Sequence, residues 1–198
     1  MEDTYKTISG PSEGLYKEKG SKFLAFAFPV VTEEQIKDHI TALREQYFDA
    51  RHHCYAYILG ADKKRFRMND DGEPSSTAGK PIHGQLLSND LTDILIVVIR
   101  YFGGTKLGVP GLINAYKTAA ADAINNAEIV ERTVNRVFTI QFDYIVMNSV
   151  MKIIKEASPE VLDRSFENIC KMVISIRESE ADALIERFEK VETLTLIS

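Results

Sequence analysis

The sequence predicts an α+β protein built in two parts, and three observations carry that reading. An apolar, β-branched run from Ile94 to Ile99 passes through a glycine-rich loop into an alanine-rich helix, the composition of a covered strand followed by a closely packed helix. The pattern then restarts near residues 131–137, after that helix. Beyond the restart the elements run β-α-β-β-α-β, the ferredoxin-like order. The expected division is therefore residues 1–133 and 134–198.

Taken in order, Thr4 to Ile8 alternates apolar and polar positions, Gly10-Pro11 breaks the pattern, and Gly14 to Tyr16 and Lys22 to Val30 resume it as a meander. Thr32 is placed as an N-cap with Gln35 at the third helical position. Ile36, Ile40, Leu43 and Tyr47 then form one stripe of a helix reaching about Tyr47. His53 to Leu59 reads as a strand with His53, Tyr55 and Tyr57 on one face and Cys54, Ala56 and Ile58 on the other. The basic run Lys63 to Arg67 suits a charged hairpin edge, with contact to RNA phosphates as the alternative. Asn69 to Pro74 forms a turn with three carboxylates, and Ser75-Ser76-Thr77 are expected to cap a short helix toward Leu87. Residues 131–136 read as a connector. After it come a strand over 137–144, a helix over 147–157, strands over 161–166 and 170–177, a helix over 179–191 and a strand over 194–197.

Composition narrows the function. The 198 residues are 44% hydrophobic, enough to bury one large core or two small ones. No window approaches the eighteen or so apolar residues of a membrane span, and the N-terminus lacks a basic region followed by an apolar stretch. A cytoplasmic protein is expected. Cys54 and Cys170 are 116 positions apart and have no metal-type spacing, so reduced thiols are expected, with no disulfide and no metal. The net charge is −5, and both parts are mildly acidic, with 16 basic against 18 acidic residues before Val134 and 8 against 11 from there on. That balance argues against strong nonspecific DNA binding.

The chemistry concentrates in Arg100 to Lys117, RYFGGTKLGVPGLINAYK. Gly103, Gly104, Gly108 and Gly111 allow close backbone approach, and Pro110 suits a helix's first turn. A helix starting there presents free N–H groups and a positive dipole end, with Lys106 and Arg100 available to add charge. Two readings stay open: an anion site, or a tight strand-to-helix turn whose glycines serve packing alone. The spacing matches neither the phosphate-loop nor the dinucleotide fingerprint. His52 and His53 point opposite ways from a regular strand, so they cannot chelate one metal, and the acidic turn does not have calcium-loop spacing.

This loop, with Asp49 to Tyr57 (DARHHCYAY) and Asn69 to Ile82 (NDDGEPSSTAGKPI), resembles the YigZ/IMPACT family over roughly residues 1–133, and the tail resembles the second domain of bacterial YigZ-type members. The resemblance implies a first domain with the βαβ fold of elongation factor G domain IV and of a small-subunit ribosomal protein. It implies a second, ferredoxin-like domain similar to domain V of that factor. Eukaryotic relatives regulate translation by competing for an activator of a stress-responsive initiation-factor kinase, and RNA or ribosome binding is the implied role in bacteria. Arg51 and Lys80 lie in the other two motifs, and the fold is expected to bring at least one of them close to the loop.

The preferred reading is a non-enzymatic, translation-linked binding protein without a cofactor, contacting RNA, the ribosome or a ribosome-associated protein. The alternative is a metal-dependent hydrolase or phosphoryl-transfer enzyme using Asp70, Asp71 or Glu73. A protein-binding module anchored on Tyr16, Tyr101 or Phe102 is a third possibility.

Overall fold

In the computed structural model, which describes residues 3–197, the chain divides into two compact units. One comprises Tyr5–Arg132; the other comprises Thr133 onward together with residues 3 and 4.

Apart from the end residues Thr4 and Thr133, which group with the other unit, the first unit holds β1 (Thr4–Ile8), β2 (Ser12–Glu18), β3 (Ser21–Pro29), α1 (Glu33–Gln46), β4 (His52–Leu59), β5 (Arg65–Asn69), α2 (Gly79–Ser88), β6 (Ile94–Tyr101), α3 (Gly108–Asn125) and β7 (Ile129–Thr133). Five strands form one sheet in the order β2-β3-β6-β4-β5, with every neighbouring pair antiparallel. Because β3 and β4 both run antiparallel to β6, they are parallel to each other, and β3-α1-β4 is a βαβ unit split by β6. The period-2 pattern sorts the side chains onto two faces. Cys54, Ala56, Ile58, Ile96 and Val98 pack with α2 and α3, while Tyr55, Tyr57, Leu95, Val97 and Ile99 pack with Ile36 and Leu43 of α1. Covered on both faces, β6 reads as a continuous apolar run.

Helix α1 starts as expected: Thr32 Oγ1 accepts the Gln35 N–H at 3.2 Å. Gln35 reaches back to the N–H of Val31 at 2.8 Å, one residue beyond the usual capping box. Helix α2 departs from expectation. No side chain of Ser75, Ser76 or Thr77 caps it. Asp70 does so from the preceding turn, its carboxylate accepting the N–H groups of Ser76, Ala78 and Gly79 at 2.8, 3.1 and 2.8 Å. A carboxylate can accept several donors at once, whereas the Thr77 side chain is turned back toward the Pro74 carbonyl, to which its hydroxyl donates at 2.6 Å. The basic run lies as expected on the edge strand β5 and the turn before it.

The second unit holds β8 (Asn135–Phe142), a 3-10 turn at Tyr144–Val146, α4 (Met147–Ala157), β9 (Glu160–Phe166), β10 (Cys170–Arg177), α5 (Glu178–Glu189) and β11 (Thr195–Ile197). Its sheet runs β11-β8-β10-β9, the ferredoxin-like 4-1-3-2 order, over a core of Phe138, Ile140, Phe142, Val150, Met172, Ile174, Leu184 and Phe188. The fold is α+β in both units.

Two details differ from the sequence reading. The expected connector at 131–136 is mostly strand: β7 pairs with β1, and β8 begins after Val134 alone. Residues 3 and 4 belong with the second unit, because Asp3 accepts from Arg177 Nε and Nη2 at 2.7 and 2.8 Å and its carbonyl accepts the Val134 N–H at 2.6 Å. The Arg177 guanidinium holds the Asp3 carboxyl well below the usual carboxylate range.

Candidate functional site

The end of the five-stranded sheet that carries the glycine loop opens into a cleft of about 880 Å³. Asp49, Ala50, Arg51 and His52 line it from the start of β4, Glu73 and Pro74 from the turn before α2, and Arg100, Tyr101 and Phe102 from the end of β6. Lys106, Leu107, Gly108, Val109 and Leu112 complete it from the loop and the first turn of α3. Three stretches far apart in sequence meet here because β6 pairs with both β3 and β4: Arg100 lies opposite Phe23 on one side and His52 on the other.

Beneath the mouth is a buried polar network. Arg100, 8% exposed, donates from Nη1 to Glu73 at 2.6 Å, and the same carboxylate oxygen accepts from the Tyr116 hydroxyl at 2.7 Å. The Cys54 thiol contacts the Tyr116 hydroxyl at 3.4 Å and donates to the Asp70 carbonyl at 3.0 Å. Burial pushes the Cys54 thiol and the Tyr116 hydroxyl up, so neither ionises near neutral pH. The Arg100 guanidinium lies 5.6 Å from the ring centroids of both Phe23 and Phe102. Its Nε is buried with no acceptor among the described residues.

The acidic turn is committed to structure. Asp70 caps α2, and Asp71 accepts from Arg44 at 3.0 Å and from the His53 N–H at 2.7 Å. The Asp71 carbonyl can only accept, so His52 donates to it from Nδ1 at 2.8 Å. Burial lowers the His53 pKa, and its Nε2 finds no partner among the described residues. At the rim, Tyr101 donates to Asp49 at 2.7 Å, a bond that pushes the phenol up to about 12. Among the described residues, no group of three or more His, Cys, Asp or Glu side chains is arranged to hold a metal ion.

The predicted site residues separate into groups. Arg51, Arg100, Lys106 and Gly108 share the cleft; Lys80, exposed on α2, is not part of its lining. Arg51 and Lys106 are exposed, and neither has an ion-pair partner among the described residues. Arg100 corrects the expectation of a freely available charge, since it is buried and paired with Glu73. The glycines divide between the two readings. A Cβ at Gly103 would lie 2.0 Å from the Gly20 carbonyl carbon, and one at Gly111 would lie 3.0 Å from Leu107 Cβ, so these two serve packing. Gly104 and Gly108 have φ of +89° and +71° and no such crowding. Helix α3 begins at Gly108 without a side-chain cap and without an acidic residue in its first turn.

Sequence reasoning missed Glu73 as the partner of Arg100, and it missed Tyr116 and Cys54 as the base of the network. The one legible signal was a tyrosine on the alanine-rich, sheet-facing side of α3, where a hydroxyl needs a partner.

The pattern described as the Impact N-terminal domain matches residues 19–124, which contain every residue of the cleft. The chain belongs to the IMPACT family. This IMPACT-family chain is 31% identical over 186 residues to the IMPACT family member YvyE of Bacillus subtilis, covering 94% of this chain and 86% of that one. It is 30% identical over 151 residues to YigZ of Escherichia coli, covering 75% and 74% respectively. A crystal structure described as a hypothetical protein matches its fold with a TM-score of 0.77 at 24% identity, covering 100% of this chain and 98% of the other. No helix among the described residues of the IMPACT-family chain is long and apolar enough to cross a membrane.

Proposed function

We propose that the chain is a non-enzymatic, translation-linked regulatory protein of the cytoplasm that binds RNA or a ribosomal surface through the cleft beside the glycine loop. Family membership supports the link to translation, since the resemblance implies that role for eukaryotic members. One observation carries the choice of surface: three separated motifs supply one cleft whose exposed cations, Arg51 and Lys106, are unpaired among the described residues, while its buried carboxylate, Glu73, is held by Arg100 and Tyr116. Unpaired cations beside an uncapped helix start favour an anionic partner. The hydrolase alternative has less support, because Asp70 and Asp71 hold backbone groups and lie outside the lining.

Binding of ribosomal RNA by the parent and by Lys106→Glu, compared at low and at physiological salt, tests the proposal. Expected is a loss of roughly tenfold or more at low salt in the variant, with parental affinity falling as salt rises. The unfolding free energy should change by no more than about 0.5 kcal/mol, because Lys106 is exposed. Equal binding by the two proteins at low salt would refute the assignment of this surface.

A further inference from the structure

We infer that the cleft takes one unpaired nucleotide at a time, its phosphate beside Arg51 and Lys106 and its base against the apolar wall. The inference rests on the RNA-linked reading above and specifies the unit that is read. Size is the first argument. A volume of about 880 Å³ falls within the roughly 300–1,000 Å³ typical of sites for small ligands, which suits a nucleotide turned out of a stack. A duplex keeps its bases stacked inside and offers a concave site only its backbone.

The wall chemistry is the second argument. Phe102 is 57% exposed and Val109 52% exposed, and they line the cleft with Leu107 and Leu112. An open apolar wall does nothing for inorganic phosphate. It does suit a base, which gains by stacking on aromatic rings and guanidinium planes, and here the Arg100 guanidinium already lies near the Phe102 ring.

Donors face the same opening from the other side. Arg51 and Lys106 are exposed, line the cleft and have no ion-pair partner among the described residues, and α3 starts at Gly108 without a side-chain cap or an acidic first turn. The cleft therefore has donors at one side and an apolar surface at the other. A nucleotide has the same division.

Calorimetric titration of the full chain with AMP, adenosine and inorganic phosphate, alongside single- and double-stranded oligoribonucleotides, tests the inference. AMP should bind roughly tenfold or more tightly than either adenosine or phosphate, and single strands more tightly than duplexes. Lys106→Glu should weaken AMP and phosphate together. Phe102→Ala should erase the advantage of AMP over phosphate and leave phosphate binding unchanged. Because Phe102 also touches Arg100, Val109→Ser serves as a second wall variant with the same expected direction, and melting temperatures identify any loss of folding.

Equal affinities for AMP and phosphate, or AMP binding indifferent to both wall variants, overturn the inference. If ribosomal RNA binding is then still lost in Lys106→Glu, the proposed function stands and the contact is with backbone phosphates alone. AMP binding without any ribosomal RNA binding would support the nucleotide site with a free nucleotide as its ligand, and the RNA-linked reading would fall.

Discussion

Glu73, one of the acidic candidates in the sequence, sits in a buried ion pair in the fold. Its side chain is 3% exposed and neutralises Arg100, whose own side chain is 8% exposed, while also accepting from Tyr116. A pair this dry gains attraction from the low dielectric but pays for desolvating both ions, so its presence alone is weak evidence of stabilisation. Removing one partner is different, because the other charge is left buried and uncompensated. Glu73→Ala should therefore lower the unfolding free energy by about 3–5 kcal/mol in urea denaturation. An unchanged midpoint would show that Arg100 escapes to solvent when its partner is lost.

At the scale of elements, the acidic turn and α2 act as one piece. Asp70 satisfies three N–H groups at the helix entry, a task the sequence reading gives instead to Ser75, Ser76 and Thr77. Asp70→Ala should cost about 2 kcal/mol, since it removes a cap and leaves several donors short of acceptors. Amide exchange at Ala78 and Gly79 should accelerate in the variant, and a loss below about 0.5 kcal/mol without faster exchange would assign the capping elsewhere. The glycine loop repeats the lesson. Four glycines look interchangeable in sequence, yet Gly103 is needed because the Gly20-Ser21 backbone passes against it, and Gly108 because the chain turns there at positive φ.

For the whole molecule, we propose that the two units are independently folding domains. Each has its own core: Phe23, Ile82, Val98, Tyr116 and their neighbours in one, Phe138, Ile174, Leu184 and Phe188 in the other. A chain limited to residues 5–132 should unfold cooperatively with near-native circular dichroism. A fragment that binds hydrophobic dye and melts without a transition would count against independence. Including residues 3 and 4 should not help this fragment, because Asp3 is held by Arg177 of the other unit.

Much of this fold is written in local pattern. The six-residue apolar run of β6, the Thr32 cap of α1, the alternation along β4 and the β-α-β-β-α-β order after Val134 depend on spacing within a few residues, which the chain displays directly. The candidate site was legible as motifs and as a basic, glycine-rich helix entry. What only the tertiary structure decided is which groups remain free. Strand register sets Arg100 between Phe23 and His52, and packing of α3 on the sheet brings Tyr116 to Glu73, 43 residues away in sequence. Pairing across such separations depends on long-range register and burial, which leave no periodic trace in a single sequence. For that reason Arg100, Arg51 and Lys106 look alike as cations in the chain, yet the fold buries the first and leaves the other two at the mouth of the cleft.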